Sequence, residues 1–400
     1  MGHIVDREMA QSRIDSTLET TAARQAHYIT WCSIMSIDDP CGNDCGYVFL
    51  VAVYIKYVIL GVNYNNKRQL RSATVKGYAK AVDILFKLRN FQLPANTDNM
   101  HNPTNTAILV HNLEREETIA KQRSPIDQSI FLMIISIAQK SKKLDSAENL
   151  LYNVAVIARY LGLRLGEYGQ TKQDKVDVHV YPSGNEVVKA FTANDIVFRD
   201  AHKNIITDVS DSTTAKTVTF TWRIQKNRQN NQSVTLAADN DNPSVCPVRA
   251  ALQLVLRARR LNQPDDLPVC FYTNNRGKNV YLTGSKIADL LHKVVKMVYP
   301  DISKSDLSRY SAHSFRVWAC VLLDEKGKSP EYIKKRLRWL GESFRTYLRD
   351  TATIQDQHRD ALNDASIEIE QLLAALPNDV VEMTQAMQHD ELSEYDDEEN

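Results

Sequence analysis

The stretch "TVTFTWRIQKNRQNNQSVTL", residues 217–236, contains two alternating polar and apolar runs separated by a polar turn. In the first run every second residue is apolar, so these side chains share one face of a β-strand. They are Val218, Phe220, Trp222 and Ile224. The turn "KNRQNN" and the return run "QSVTL" complete the pattern, which predicts a β-hairpin with one buried face.

Helical patterns surround this hairpin. Residues 20–115 are helical in pattern, and Ser72 is a possible N-cap within them. Helix starts are indicated at Ser124-Pro125 and at Ser329-Pro330-Glu331. The predicted helices beyond residue 125 are 126–141, 147–161, 247–260, 285–298, 313–325, 330–340, 342–350 and 356–375. With a further strand in "VDVHVYP", the sequence predicts a mainly α chain with a small antiparallel β-sheet, an α+β fold.

The charge of the chain is unevenly distributed. Its 400 residues include 49 Lys and Arg and 49 Asp and Glu, and 43% are apolar, which is enough to bury a sizeable core. The last eleven residues, "DELSEYDDEEN", contain seven acids and no Lys or Arg, so the rest carries 49 basic against 42 acidic residues. A basic body with an acidic tail suits a protein that binds a polyanion.

Cysteine usage and hydropathy favour an intracellular protein without a metal. Cys41 and Cys45 lie close together in "CGNDC", but no second ligand pair follows, so no metal site is expected. Reduced thiols are expected, and the protein should not be secreted. The apolar run at 47–62 is broken by Lys56, which favours a buried helix over a membrane span.

Two short motifs carry groups that bind phosphate. "GLRLGEY" (162–168) ends a helix at Gly162 and presents Arg164, with Glu167 three residues on, although an exposed ion pair would look the same. "SAHSFR" (311–316) places His313 and Arg316 one helical turn apart. Arg grips two phosphate oxygens and His moves a proton near neutral pH, while a plain surface pair is the alternative.

A third motif is "RLRWLGESFRTYLRDT", residues 336–351, where Tyr347 lies among four arginines and a tryptophan. Leu340, Phe344 and Tyr347 fit one apolar stripe of an amphipathic helix, so Tyr347 is either a core aromatic or a nucleophile. Trp339 is either a core residue or an indole N–H donor to a phosphate oxygen.

The order of these groups resembles the signature of the tyrosine recombinases and phage-type integrases. "GLRLGE" looks like the first arginine box of that family, "AHSFR" looks like the second, and a Trp and a Tyr close the set. More narrowly, "CPVRAAL", "HSFRVWACVLL" and "IKKRLRW" with "SFRTYLRDT" resemble recombinases of eukaryotic mobile elements of the crypton or DIRS-like kind.

The resemblance implies a metal-free and ATP-free strand transfer that needs no cofactor. Tyr347 would attack a DNA phosphate, with His313 as the base. Arg164 and Arg316 would bind the non-bridging oxygens, Lys226 in the hairpin would protonate the leaving oxygen, and Trp339 would donate a hydrogen bond or close the site. Glu167 would orient its neighbours.

Two departures from the family pattern are visible. The family often has a Leu-Gly-His box, where this chain reads "WLGE", and Glu342 is too close to Tyr347 to replace the histidine. The segment between Arg164 and the hairpin is also long, so Lys216 and Arg223 are rivals of Lys226 for the role of catalytic lysine.

The resemblance also implies a domain order and partners. It predicts a flexible N-terminus (1–20), a helical core-binding domain (21–118), a linker (119–125), a catalytic domain (126–376) and an acidic flexible tail (377–400). The partner would be double-stranded DNA, bound by a homotetramer that is a monomer or dimer when free, without a membrane. The location would be nuclear in a eukaryote and otherwise cytoplasmic. Candidate contacts to the DNA backbone are Arg71, Lys76, Lys80 and Arg345.

Two other functions fit the same motifs. One is a type IB topoisomerase, which nicks and reseals one strand as a monomer. The other is a domesticated DNA-binding protein whose catalytic domain is a relic. A covalent protein–DNA adduct separates the two enzymes from the relic.

Overall fold

The structure is a computed structural model of the chain. It describes residues 15–42, 46–60, 70–89, 105–117, 122–141, 143–181, 183–210, 214–225, 230–348, 355–356 and 360. Lys226 and almost all of the predicted helix 356–375 lie outside these residues. Within them, no helix is long and apolar enough to cross a membrane.

The described residues of the N-terminal region form the helices α1 (Asp15–Ile34), α2 (Gly46–Ile59), α3 (Ser72–Leu88) and α4 (Asn105–Glu116). They enclose an aromatic core that includes Tyr28, Trp31, Tyr54 and Phe86. Helix α2 is the apolar run that contains Lys56, and six of its fourteen residues are buried, among them Tyr54 and Ile55. The run therefore forms a helix with one face packed in the N-terminal core, as expected.

A second and larger core belongs to residues 126–318. It is built on helices α5 (Gln128–Lys140), α6 (Ala147–Leu161), the short α7 (Leu165–Tyr168), α8 (Pro247–Arg260), α9 (Gly284–Val298), the short α10 (Lys304–Leu307) and α11 (Ser314–Glu325). Helix α12 (Pro330–Leu337) follows. Short 3₁₀ helices span Ala193–Asp195, Pro243–Val245 and Glu342–Tyr347.

In the part of the chain that the structure describes, the strands form three small antiparallel sheets. Strands β1 (Val178–Val180) and β2 (Glu186–Val188) pair with each other, as do β7 (Phe271–Thr273) and β8 (Asn279–Tyr281). The third sheet has the order β4-β3-β5-β6, from β3 (Ile196–Arg199), β4 (Ile205–Ile206), β5 (Thr217–Trp222) and β6 (Gln232–Ala237). The predicted hairpin is β5–β6, in which Phe220 lies opposite Val234, so both the hairpin and the mainly α fold with small sheets are confirmed.

Helix α6 ends where the sequence predicts, at Gly162. This residue has φ 55° and ψ 50°, the left-handed conformation that glycine adopts without strain. A Cβ atom here would also lie 3.0 Å from the Leu337 side chain. The glycine therefore turns the chain from α6 toward Arg164 while α12 packs closely against the turn.

Four local predictions differ from the structure. Ser72 is not an N-cap, because it is the first residue of α3 and its backbone N–H and hydroxyl both donate to Glu117. Helix α5 begins after Asp127, whose carboxylate accepts from the backbone N–H of Ile130, and not at Ser124-Pro125. Helix α12 ends at Leu337, since Arg338 is left-handed.

The fourth difference concerns the segment that contains the tyrosine. It forms a 3₁₀ helix over Glu342–Tyr347, where an α-helix over 342–350 was expected. With three residues per turn, Phe344 and Tyr347 share one side, while Leu340 precedes the helix and is 61% exposed. The apolar stripe that included Leu340 is therefore wrong.

Candidate active site

The hydroxyl of Tyr347 lies 2.9 Å from Nε2 of His313. His313 is the N-cap of α11, and Tyr347 is the last residue of the 3₁₀ helix. The fully buried Phe344 anchors that helix in a small apolar cluster with Ile333 and Leu337. Two distant motifs of the sequence thus meet at a Tyr–His pair.

Trp339 is at the centre of the candidate site. The guanidinium carbon of Arg316 lies 4.0 Å from the centroid of its ring, and that of Arg164 lies 5.9 Å away. The ring of Tyr347 lies 5.3 Å away, centroid to centroid. The buried indole Nε1 of Trp339 has no hydrogen-bond partner among the described residues. Two cations and a phenol therefore lie around the ring of Trp339, whose N–H donor is unused.

The side chain of Arg316 is held by two backbone carbonyl groups. Its side chain donates to the carbonyl oxygens of Gly162 and Leu337, the latter at 3.2 Å. It is 1% exposed, and burial, together with the neighbouring charge of Arg164, lowers its pKa to about 9. The group remains a cation at neutral pH, and the carbonyl oxygens of two helix ends fix its orientation.

Glu167 fixes the other arginine. Its carboxylate accepts from the backbone N–H of Arg164 and from Nη1 of the same residue, both at 3.0 Å. It also accepts from Nη2 of Arg338 at 2.9 Å. Burial acts to raise the pKa of Glu167, but the charges of Arg338, Arg164 and Arg316 outweigh it, so the pKa lies below its ordinary value. Glu167 is therefore ionised and holds Arg164 and Arg338 in place. None of these contacts involves a reacting atom.

His313 is held in its neutral form. Burial lowers its pKa below the ordinary 6.5, and the nearby cations Arg316, Arg123 and Arg164 act in the same direction. A neutral imidazole at pH 7 is able to accept a proton from the Tyr347 hydroxyl through Nε2.

The candidates for the catalytic lysine are separated by the structure. Lys226 lies outside the described residues, four positions after Trp222, the last residue of β5. Lys216 is exposed and directly precedes β5 at its opposite end. Arg223 is engaged elsewhere: its Nε lies 2.7 Å from Asp195, and its Nη2 donates to the carbonyl of Ala190 at 2.9 Å.

The candidate contacts to the DNA backbone lie outside the cluster. Arg71, Lys76 and Lys80 are at the start and along the outer side of α3, where Lys76 forms an ion pair with Glu114 at 2.8 Å. Arg345 is exposed and pairs with Glu342 at 2.8 Å, and Lys334 also donates to Glu342. The carboxylate of Glu342 thus has two cationic partners on the protein.

The sequence motifs did not single out Arg338. It was one of the four arginines of 336–351, and the residue patterns considered did not distinguish it from a solvated surface residue. In the structure it is 4% exposed and contacts Glu167. The signal that was available is its position next to Trp339, at a place where the chain must leave α12.

No group of three or more His, Cys, Asp or Glu side chains among the described residues is placed to hold a metal ion.

The comparisons with known proteins find similarity at the level of structure only. No family model matches the sequence, and no curated protein matches it. The Tn1549 transposon integrase, solved in complex with circular intermediate DNA, is 11% identical with a TM-score of 0.42, over 88% of this chain and 98% of that one. The XerH site-specific recombinase, solved bound to a palindromic difH substrate in a post-cleavage complex, is 13% identical with a TM-score of 0.45, over 86% and 80%.

The XerA recombinase is 12% identical, with a TM-score of 0.35, over 89% of this chain and 95% of that one. Similarity at this level does not assign a role to any residue. The roles of individual residues are therefore inferred from the side chains of this chain.

Proposed function

We propose that this protein is a site-specific DNA recombinase or integrase that cleaves and rejoins strands through a phosphotyrosyl intermediate. One observation carries the proposal: the Tyr347 hydroxyl lies 2.9 Å from His313 Nε2, beside Trp339 and the guanidinium groups that face its ring. A nucleophile and a base in hydrogen-bond contact thus lie next to Trp339, whose ring two cations approach. The motifs that carry the family resemblance supply each of these groups.

The reaction is a transesterification. Tyr347 Oη forms a bond to phosphorus as the bond from phosphorus to the 5′-oxygen breaks, which leaves a 3′-phosphotyrosine and a free 5′-hydroxyl. A free tyrosine has a pKa of about 10, so the attack requires a base. Neutral His313 accepts the phenolic proton. In the reverse step a 5′-hydroxyl attacks the phosphotyrosine and rejoins the strand, so no external energy source is needed.

The cations stabilise the charge that develops on phosphorus. Arg316 and Arg164 bind the two non-bridging oxygens, and the unused Nε1–H of Trp339 donates to one of them. Each such donor typically accounts for about 10²–10³-fold in rate. Lys226 protonates the leaving 5′-oxygen, and the hairpin β5–β6 leads to it.

The wider organisation is part of the same proposal. The helical region 21–118 clamps the duplex from the side opposite the catalytic region 126–376, with Arg71, Lys76 and Lys80 on phosphates. Four copies hold two duplexes during recombination. The protein acts where DNA is, in the nucleus of a eukaryote or otherwise in the cytoplasm, and its subfamily is that of mobile elements of the crypton or DIRS-like kind.

A trapping experiment tests the chemistry. The protein is incubated with a library of nicked suicide duplexes in which the fragment 3′ of the cleaved bond is too short to stay annealed, so its loss traps the covalent adduct. Adducts are recovered after denaturation with detergent and their DNA is sequenced. Wild type and Tyr332→Phe, a control at a 47% exposed tyrosine on α12, should form the adduct, and Tyr347→Phe should not.

Three results would contradict the proposal. DNA binding without any adduct in the wild type would indicate a relic catalytic domain. An adduct that persists in Tyr347→Phe would identify another nucleophile. An adduct joined to the 5′-phosphate of the fragment that lies 3′ of the break would show the opposite polarity of strand transfer.

A further inference from the structure

Arg338 occupies a conformation that non-glycine residues rarely adopt. Its φ of 59° and ψ of 53° end α12 in a left-handed turn, and the next residue is Trp339. Its guanidinium group is almost completely buried. A buried cation in an unusual backbone conformation, one residue from the centre of the candidate site, requires partners that hold it.

The partners of Arg338 come from three separate parts of the chain. Nη1 donates to the carbonyl of Leu161 at 3.0 Å, at the end of α6, and Nη2 donates to Glu167 at 2.9 Å. The guanidinium carbon lies 3.7 Å from the centroid of the Trp222 ring, on β5. The backbone carbonyl of Arg338 itself faces Nη2 of Arg164 at 3.5 Å. One residue thus joins the helix end, the Glu167 carboxylate and the hairpin strand.

These contacts involve two groups with assigned roles: Arg164, which binds the phosphate, and the strand that leads to Lys226. Through Glu167 and its own carbonyl, Arg338 restrains Arg164, which is assigned to a non-bridging oxygen. Through Trp222 it restrains the strand that leads, four residues later, to Lys226. A second arginine of the same segment, Arg336, donates to the carbonyl of Thr235 on β6 at 3.3 Å, so the hairpin is held at both strands.

We propose that Arg338 is a positioning residue for strand transfer, which holds Glu167 and Arg164 in place and fixes the hairpin relative to the Tyr347 segment. The inference depends on the function proposed above. Arg338 touches no reacting atom, so its replacement should slow the covalent step while the affinity for DNA changes little.

The charges around Glu167 supply a readout that a purely structural role would not affect. Arg164, Arg316 and Arg338 are the cations that keep this carboxyl ionised, and Arg338 has the largest effect of the three. In Arg338→Gln the pKa of Glu167 should rise, so the adduct rate should be lost at a higher pH than in the wild type. Adding Glu167→Gln should remove that displaced acid limb.

The test compares Arg338→Gln with Lys335→Gln, a matched loss of one positive charge at an exposed position of the same helix. The rate of adduct formation at saturating suicide DNA, the Kd for an intact duplex and the Tm are measured for each. Arg338→Gln should react about 10²-fold more slowly than Lys335→Gln, with a Kd within a few-fold. Glu167→Gln is also combined with each of these two variants. In Arg338→Gln/Glu167→Gln the loss of adduct rate should be smaller than the two single substitutions would give if their effects were additive in free energy.

Arg338→Lys covers the case in which Arg338→Gln folds poorly. It retains the charge without the planar fork, so we expect a reduced rate with an acid limb at the wild-type pH. If the folded Arg338 variants react as fast as Lys335→Gln, or if the rate loss appears only as weaker DNA binding, the positioning role is refuted. If the wild type itself forms no adduct, the proposed function fails first.

Discussion

Among the described residues, a Tyr–His hydrogen bond occurs in the helical N-terminal region and another occurs in the candidate site. In the helical N-terminal region Tyr54 Oη lies 2.7 Å from His27 Nδ1, and in the candidate site Tyr347 Oη lies 2.9 Å from His313 Nε2. Tyr54 is fully buried, and burial raises its pKa well above the ordinary value. Tyr347 is half-buried, and its pair lies beside the buried cation Arg316.

The difference shows that the hydrogen bond alone does not make a nucleophile. The rings around His27 belong to Tyr54, Tyr57 and Tyr78, so that environment is mainly aromatic, with one cation, Arg24, over the ring of Tyr78. Next to Tyr347, the ring of Trp339 is instead approached by two guanidinium groups held by carbonyls and a carboxylate. Two fixed cations that can stabilise an anion, together with access for substrate, distinguish the second pair.

Exchanging Tyr for Phe in the two pairs should give the largest contrast. Tyr347→Phe should abolish the covalent adduct, because the attacking oxygen is gone. Tyr54→Phe should retain the adduct but lower the free energy of unfolding by about 1–3 kcal/mol, because His27 loses a buried partner. Detergent-stable adducts and urea unfolding measure the two effects. Loss of the adduct in folded Tyr54→Phe would remove the distinction between the pairs.

Replacing Arg316 tests the cations directly. Arg316→Lys should reduce the adduct rate at saturating DNA by about 10²–10³-fold, since Lys cannot bond two carbonyls and face Trp339 at the same time. Arg257→Lys is the matched control: Arg257 is also buried and donates to the carbonyl of Leu144, just before the opposite end of α6. It should cost stability without slowing the covalent step. Equal rate losses in both variants would indicate general loosening of the core.

Trp339→Phe separates the N–H donor from the ring. We expect the adduct rate to fall about 10²-fold at saturating DNA, because one hydrogen bond to the transition state is lost while an aromatic ring still faces Arg316. Trp31→Phe, in the N-terminal core, should leave the rate unchanged. An unchanged rate in Trp339→Phe would mean that the indole N–H has no role.

A change of pH near neutrality should have the smallest effect on the rate of adduct formation. His313 must be neutral to accept a proton, and its pKa lies below 6.5, so the rate should stay high at pH 6.5 and fall only in more acidic solution. Arg123 helps to lower this pKa, so Arg123→Gln should move the acid limb to higher pH. Rates of adduct formation across pH 5–8 measure this shift. A limb that moves to lower pH in Arg123→Gln would contradict the assignment of His313 as the base.

The two cores also differ in what they bury. In the described part of the chain, every arginine and carboxylate that is fully buried lies in the region from residue 122 onward, including Glu167, Arg257, Arg316 and Arg338. Burying an ion costs several kcal/mol unless hydrogen bonds compensate it. Glu167, Arg316 and Arg338 lie together around Gly162, next to the Tyr–His pair, which is consistent with a site that requires fixed charges.

Much of the local structure was predictable because its signals are local. The hairpin follows from alternation along 217–236, the end of α6 from Gly162, and the start of α12 from Ser329, whose hydroxyl accepts from the backbone N–H of Tyr332. The 3₁₀ helix before Tyr347 was missed because its apolar residues, Phe344 and Tyr347, fit a period of three as well as one of 3.6.

By itself, the sequence determined the fold class, the hairpin and a set of candidate groups, because residue periodicity and capping depend on neighbours a few positions apart. Only the tertiary structure decided which arginines are buried and which of their partners they face. Arg316 reaches Gly162 across 154 positions, and Arg338 reaches Glu167 across 171. No short-range pattern records contacts of that separation, since they exist only after the helices of this region have packed and the water around these charges has been removed.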